Sequence, residues 1–278
     1  KNKLNKILKI TKPEFVVHLA GKSTIDMVQK DKNLYHRDNF LATKNLIEVM
    51  QNLKIPNLIF SSTAAVYKKK ERKINEKSEI NSDNSYGISK INCERIIKKI
   101  NNKNMKYCIL RFFNVSSSLT EKKIGEFHNP ETHLIPIIIN SIFKKKEIYV
   151  YGKNYKTKDG TCYRDYIHIA DILSAINKTI NYLSNKQSKS NIINLGSGNC
   201  YSVLEIIKIC FKLTKRKTNV TFKKNRKYDV GYLHCDIDKA EKIIKWKPSY
   251  SNLKKIINDE IWWYKYLNKK KFKRKFLY

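Results

Sequence analysis

The chain has 278 residues, 58 of them Lys or Arg against 24 Asp or Glu, and a formal net charge of +34. That length supplies one large core or two modest ones. No apolar run approaches the ~18 residues of a membrane span, the basic start lacks an apolar signal-like segment, and six scattered cysteines form neither C-x-x-C pairs nor zinc spacings, so none of these classes is expected.

In chain order, Phe15 to Leu19 reads as a buried strand ending at Ala20-Gly21. Asp38 to Leu53 has helical apolar spacing through Phe40, Leu41, Leu46, Ile47 and Met50. Leu58 to Ser61 is the next strand and runs into the hydroxyl cluster Ser61-Ser62-Thr63. The polar stretch Lys68 to Ser85 reads as loop. A helix over Lys90 to Ile100, headed by Tyr86, leads to strand Tyr107 to Phe112. Strands separated by helix-length segments imply parallel β-α-β units of an α/β, doubly wound sheet. Beyond Asn114 the pattern shortens. Helices are expected at Leu134–Phe143, Ala170–Leu183, Val203–Leu213 and Leu253–Tyr266, with short strands at 147–151, 166–168, 192–195 and 220–222. The pattern divides the chain into a sheet-forming part at residues 1–115, a part with shorter elements at 116–268 and a basic tail at 269–278.

The lysines are spread along the chain, densest at Lys68-Lys69-Lys70 and in the tail. One reading is a polyanion or anionic membrane partner. The other is a lysine-rich composition that replaces neutral surface positions, and the even spread favours it; no specific nucleic acid and no membrane partner are expected. Scattered cysteines fit reduced thiols and a cytoplasmic location.

Tyr86-Gly87-Ile88-Ser89-Lys90 carries the chemistry. Tyrosine and lysine four apart on a helix share a face. An ammonium near a phenol favours the phenolate, which can take a proton from a hydroxyl and return it. Alone, in a chain rich in Tyr and Lys, the spacing fits an exposed helix pair better than a catalytic one. Thr63, at a strand end, stands where α/β sheets collect functional groups.

Together these stretches resemble the extended short-chain dehydrogenase/reductase family, and within it the UDP-sugar 4-epimerases. Supporting stretches are Val17-His18-Leu19-Ala20-Gly21, Asp38-Asn39, Arg111-Phe112-Phe113-Asn114-Val115, Glu131-Thr132-His133-Leu134-Ile135-Pro136, Asp159-Gly160-Thr161-Cys162-Tyr163-Arg164-Asp165-Tyr166-Ile167-His168 and Asn194-Leu195-Gly196-Ser197-Gly198. The resemblance implies that residues 1–115 are part of an NAD-binding domain with a Rossmann-like sheet, and that 116–268 are a smaller, mainly substrate-binding α/β region with segments returning to that sheet. It also implies an NAD-dependent isomerase interconverting UDP-galactose and UDP-glucose. Tyr86 would be the acid/base, Thr63 would hydrogen-bond the sugar 4-oxygen, and Lys90 would hold the nicotinamide ribose and lower the Tyr86 pKa. Ala20, Gly21, Lys22, Asn39, Tyr86, Lys90 and Phe112 would contact NAD. Thr63, Asn114, His133, Leu134, Arg164, Arg226, Asp229 and Leu233 would contact the UDP-sugar, with the arginines on its phosphates. His18 and His168 follow apolar strand residues and are expected to be structural; no metal is expected. A homodimer is implied by resemblance alone.

The family's 4,6-dehydratases place Asp-Glu after the threonine; Ala64-Ala65 stand here, which favours epimerisation. Epimerisation of another UDP-sugar, an N-acetylhexosamine or a pentose, stays open. The family's opening Gly-x-x-Gly-x-x-Gly turn, which cradles the dinucleotide pyrophosphate, has no counterpart in the sequence. Lys1 matches a point roughly 60 residues, about two β-α units, into that domain. A fragment or a truncated relative, inactive or nearly so by itself, is therefore expected, with a non-catalytic binding role as the alternative.

Overall fold

The computed structural model describes residues 1–23, 32–68, 73–100, 105–226 and 229–269. Lys69 and Lys70 of the basic run, and the tail from 270 onward, lie outside the described residues. The helices are α1 (Asn2–Thr11), α2 (Lys32–Tyr35), α3 (Ala42–Asn52), α4 (Ser85–Lys98), α5 (Leu134–Phe143), α6 (Ile169–Ser184), α7 (Val203–Thr214), α8 (Asp238–Ile244) and α9 (Leu253–Lys269). The strands are β1 (Phe15–His18), β2 (Asn57–Thr63), β3 (Lys73–Ile74), β4 (Lys106–Phe112), β5 (Asn114–Ser116), β6 (Ile148–Tyr151), β7 (Tyr163–His168), β8 (Asn191–Leu195), β9 (Cys200–Ser202), β10 (Val220–Lys223) and β11 (Tyr232–Cys235). No described helix is long and apolar enough to cross a membrane.

The chain divides into two compact units. Unit 1 comprises Lys1–Phe113, Leu173–Leu195 and Cys235–Lys247; unit 2 comprises Asn114–Ile172, Gly196–His234 and Pro248–Tyr278.

Unit 1 is built on the parallel sheet β1-β2-β4-β8, a Rossmann-like arrangement. The apolar runs of β2 and β4 are buried on both faces, as parallel strands between helices must be. Leu58, Phe60 and Ile109 pack with Leu46, Ile47, Met50, Cys93 and Ile97 from α3 and α4. Adding Leu8 to this core anchors α1, while its Ile7 and Ile10 stay exposed. The register pairs Thr63 with Phe112 and Phe112 with Leu195, so the carboxyl ends of three strands finish level.

Unit 2 has two small sheets: β6 parallel to β10, and β7 carrying β5 and β11 parallel and β9 antiparallel. Its core joins α5, α7 and α9 through Ile135, Ile138, Ile142, Ile206, Ile257 and Ile261.

Three local outcomes differ from the sequence expectation. Helix α4 starts at Ser85, not Lys90, because Asn84 caps it: its Oδ1 accepts the Gly87 N–H at 2.8 Å. The expected 38–53 helix is a longer run from Lys32, broken at His36–Leu41 by a π turn that separates α2 from α3. The 68–85 stretch contains β3 and a bridge between Tyr67 and Ile80. Helices α1 and α8 and strands β5, β9 and β11 carried no expectation, being short or embedded in Lys- and Asn-rich sequence.

Candidate active site

The N-terminal turn of α4 places Tyr86 and Lys90. Gly87 permits that placement: a Cβ there would lie 2.5 Å from Ala65 O and still closer to the Ser82 hydroxyl. The Tyr86 phenol lies near enough to the Thr63 hydroxyl for that group to lower its pKa, and its ring lies 5.8 Å from the Tyr35 ring. Thr63 ends β2, and its Oγ1 also accepts the Ala65 N–H at 3.2 Å, fixing the rotamer. Burial pushes the Tyr86 pKa up, and the nearby Thr63 hydroxyl draws it part of the way back.

Lys90 is buried, with its Nζ donating to Ser61 O at 2.8 Å and standing 4.7 Å over the Phe60 ring. Desolvation lowers its pKa to about 8. The buried Lys90 ammonium is itself poorly solvated, while burial raises the Tyr86 phenol and the Thr63 hydroxyl lowers it.

Residues expected to touch NAD cluster around the same lysine. Asn39, buried in the π turn, holds the end of the β1 loop: its Oδ1 accepts the Lys22 N–H at 2.8 Å, and its Nδ2 donates to Lys22 O at 3.1 Å and to Ser89 Oγ at 3.0 Å. A Cβ on Gly21 would meet Asn39 Oδ1 at 2.9 Å and Lys90 Nζ at 3.7 Å. Gly21 thus leaves room beside a buried ammonium that donates one hydrogen bond to the described protein. This fits a ribose diol, which needs donors in a pocket without side-chain bulk. Ala20, two residues past β1, and Phe112, at the end of β4, lie in the same unit without polar side chains to contribute. His18 is pressed down to about 4 by burial and then by Lys90, so it is neutral, with Nε2 3.0 Å from Thr43 Oγ1.

Beneath this set is a buried network without a counterpart in the sequence expectation. Glu94, one turn after Lys90, receives Arg111 Nε at 2.9 Å and Nη2 at 2.6 Å, and Ser62 Oγ at 2.6 Å. Arg111 Nη1 donates to Tyr67 Oη at 2.8 Å, and Tyr67 donates to Asn194 Oδ1 at 2.6 Å. Helix α4 is thereby tied to β2, β4 and β8. The signal was available: Tyr86, Lys90 and Glu94 recur at i, i+4 and i+8 on one face.

In unit 2, Arg164 and Leu233 are register partners on β7 and β11. Arg164 Nη1 donates to Val230 O at 2.7 Å and Tyr163 O at 2.9 Å, and Nη2 lies 3.5 Å from Asp229 Oδ1. Arg226 Nε reaches Asp229 Oδ2 at 2.8 Å, with the guanidinium 4.7 Å over the Tyr151 ring. Arg164, Arg226, Asp229 and Leu233 are thus brought together, and Tyr151 is an addition that a two-residue-period strand could not distinguish from surface. Arg164 does not pair with Asp165, whose carboxylate instead accepts Ser197 N–H and Oγ and Gly198 N–H. Asp159 Oδ1 accepts the Thr161 N–H and hydroxyl, and Oδ2 the Ser202 hydroxyl, so the Asp-Gly-Thr motif shapes the turn before Arg164. Asn114 Nδ2 donates to Asp165 O at 2.7 Å.

His133 occupies the N-cap position of α5 without a side-chain capping bond, and Leu134 is the first helical residue. The Glu131 hydrogen bond raises the His133 pKa. His168 Nδ1 accepts the Ala170 N–H, while Nε2 lies 2.7 Å from Ser117 Oγ and 3.0 Å from Asp259 Oδ2. Serine and aspartate share one ring nitrogen there, so this is structural cross-linking rather than a Ser-His-Asp relay, which needs both nitrogens.

The profile described as the NAD dependent epimerase/dehydratase family matches residues 1–196. The chain is 34% identical over 264 residues to the UDP-glucose 4-epimerase of Lacticaseibacillus casei, covering 94% of this chain and 80% of that protein. It is similar to the crystal structure of the Stenotrophomonas maltophila UDP-glucose-4-epimerase with bound NAD and formylated UDP-arabinopyranose (TM-score 0.92, 26% identity, covering 97% of this chain and 81% of that one). It is also similar to the UDP-Glc/GlcNAc 4-epimerase of Campylobacter jejuni (TM-score 0.82, 31% identity, covering 95% and 81%).

Proposed function

The chain belongs to the NAD dependent epimerase/dehydratase family, and from that premise we propose that it carries the acid/base and substrate-holding parts of an NAD-dependent UDP-glucose 4-epimerase. The observation that carries the proposal is Thr63 at the carboxyl end of a parallel strand, near the Tyr86 phenol of α4, with buried Lys90 one turn on and bonded to Ser61 O of the same strand.

NAD, when bound, supplies the hydride acceptor and donor at the sugar C4. Gly21, the Lys22 backbone, Asn39 and Lys90 would hold it, Lys90 through a ribose hydroxyl. Tyr86 exchanges the proton of the sugar 4-hydroxyl, and Thr63 positions that oxygen and relays the proton. Arg164 and Arg226 hold the diphosphate, and Asp229 the uridine ribose. Asn114, His133 and Leu134 complete the substrate contacts, with Leu233 beside Arg164 limiting the bulk admitted near the sugar. An N-acetylhexosamine or a pentose nucleotide is the second reading, supported by the dual-substrate Campylobacter jejuni relative and the medium size of Leu233. The exposed apolar Leu41 and Ile88 of unit 1 fit a homodimer, and the free cysteines fit a cytoplasmic location.

The test is NAD content and UDP-galactose to UDP-glucose conversion, for this chain and for the same chain with a family Gly-x-x-Gly-x-x-Gly segment placed ahead of Lys1. Conversion by the extended form, lost in Tyr86→Phe, supports the proposal. NAD bound by the extended form without conversion of any UDP-sugar overturns it.

A further inference from the structure

We propose that Glu126, His128 and His133 of unit 2 form a binding site for a divalent transition-metal cation of the Zn2+ type. His128 Nε2 lies 2.6 Å from Glu126 Oε1, and His133 Nδ1 lies 3.3 Å from the same oxygen. All three donor atoms fall within 4.8 Å of one another. Donors bound tetrahedrally at ~2.0–2.2 Å from an ion stand about 3.4 Å apart. The ion therefore enters with sub-ångström opening of the Glu126–His128 contact.

The surroundings point the same way. Among the described residues, neither Glu126 nor Glu131 pairs with a lysine or arginine; their charged-group partners are the two histidines alone. In a chain with 58 Lys and Arg, that leaves two carboxylates without the usual counter-ions. Glu131 Oε1 accepts the Thr132 and His133 N–H groups at 2.8 Å each, so it serves as a fixed negative charge beside His133 rather than as a further ligand. The site is braced: Trp263 Nε1 donates to Glu126 O at 2.6 Å, and His133 is pinned at the start of α5. His133 is partly open to solvent, which gives the ion an approach and leaves coordination positions for water. Two imidazoles and one carboxylate select Zn2+ and its neighbours over Mg2+ or Ca2+, which prefer all-oxygen sites.

The test is equilibrium dialysis of the full chain against Zn2+, with Co2+ as the spectroscopic probe. The expected result is about one saturable equivalent, with visible Co2+ bands and no thiolate charge-transfer band, because no cysteine is included. His128→Ala, His133→Ala and Glu126→Gln should each weaken binding by about 100-fold, and Glu131→Gln by about tenfold. The Glu126→Gln variant keeps shape and volume, so it decides the matter where a histidine variant loses thermal stability without metal. Failure of the unsubstituted chain to bind an equivalent, a thiolate band, or undiminished binding by Glu126→Gln would each show a plain His–Glu ion pair and overturn the proposal.

Discussion

Replacing Arg111 by Met should cost about 3–5 kcal/mol of stability, the range for breaking a buried ion pair by removing one partner. The side chains of Arg111 and Glu94 are 1% and 2% exposed, so water cannot replace what is lost. Two of the three close donors to the Glu94 carboxylate leave with the guanidinium, at 2.9 and 2.6 Å; only the Ser62 hydroxyl stays, with Lys98 Nζ at 3.8 Å. Tyr67 also loses a donor, although it keeps Asn194. The assay is urea unfolding followed by circular dichroism, where a loss of this size lowers the folding equilibrium by about two to four decades. The double variant Glu94→Leu/Arg111→Met removes the stranded charge and should be more stable than Arg111→Met alone. A single variant within about 1 kcal/mol of the parent, or a double variant less stable than the single, would refute the claim that this pair is desolvated and mutually dependent.

In the form that binds NAD, Tyr86→Phe should lower turnover by about 10²–10⁴-fold with NAD content unchanged, read by single-turnover kinetics. Thr63→Val removes the hydroxyl that lowers the Tyr86 pKa, so the pH limb reporting Tyr86 should move to higher pH; an unmoved limb would contradict that influence. Lys90, with a folded pKa of about 8 against an ordinary value of 10.5, is charged in both states below pH 8, where its desolvation penalty is fully present; between about 8 and 10.5 only the unfolded chain holds the proton, so stability rises with pH. Relative to Lys90→Met, the parent should therefore gain up to about 3 kcal/mol from pH 7 to pH 10 in urea midpoints, and a pH-independent difference would speak against the burial. Arg164→Ala should raise the KM for UDP-galactose roughly 10–100-fold, matching one charge-assisted bond to phosphate.

The parallel sheet was legible because Leu58–Ser61 and Tyr107–Phe112 are apolar runs separated by a helix-length segment, a pattern with few alternatives. The Tyr86–Lys90 spacing was legible for the same reason of period. Its electrostatics were not, because spacing fixes which face a lysine occupies but not how deeply it is desolvated. The π turn at His36–Leu41 was invisible: one extra residue in a helical turn leaves the apolar pattern nearly intact, yet it is where Asn39 sits buried to hold Lys22. The short strands β5, β9 and β11 have three or four residues each, too few to show a period of two. Arg111 could be read as part of a family stretch, but not as the partner of Glu94, since that pairing spans helix and strand.

The two candidate subsites handle charge in opposite ways. In unit 1 the ion pair is closed: Glu94 and Arg111 satisfy each other and their neighbours, and serve to fix α4. In unit 2 one carboxylate, Asp229, faces two guanidiniums, and its contact with Arg164 is 3.5 Å, at the outer limit of a hydrogen bond. Arg164 is nonetheless held in place by Val230 O and Tyr163 O, which accept from Nη1 and leave the Nη2 side weakly engaged. A diphosphate meeting such an arginine has little side-chain entropy to freeze and only a long contact to displace. Anion affinity should thus depend more on Arg164 than on Arg226, whose side chain is 52% exposed and already bonded to Asp229 at 2.8 Å, a shorter contact for an anion to displace. Comparing UDP affinity of Arg164→Ala and Arg226→Ala tests this ranking, and equal losses would show that exposure, not preorganisation, governs the site.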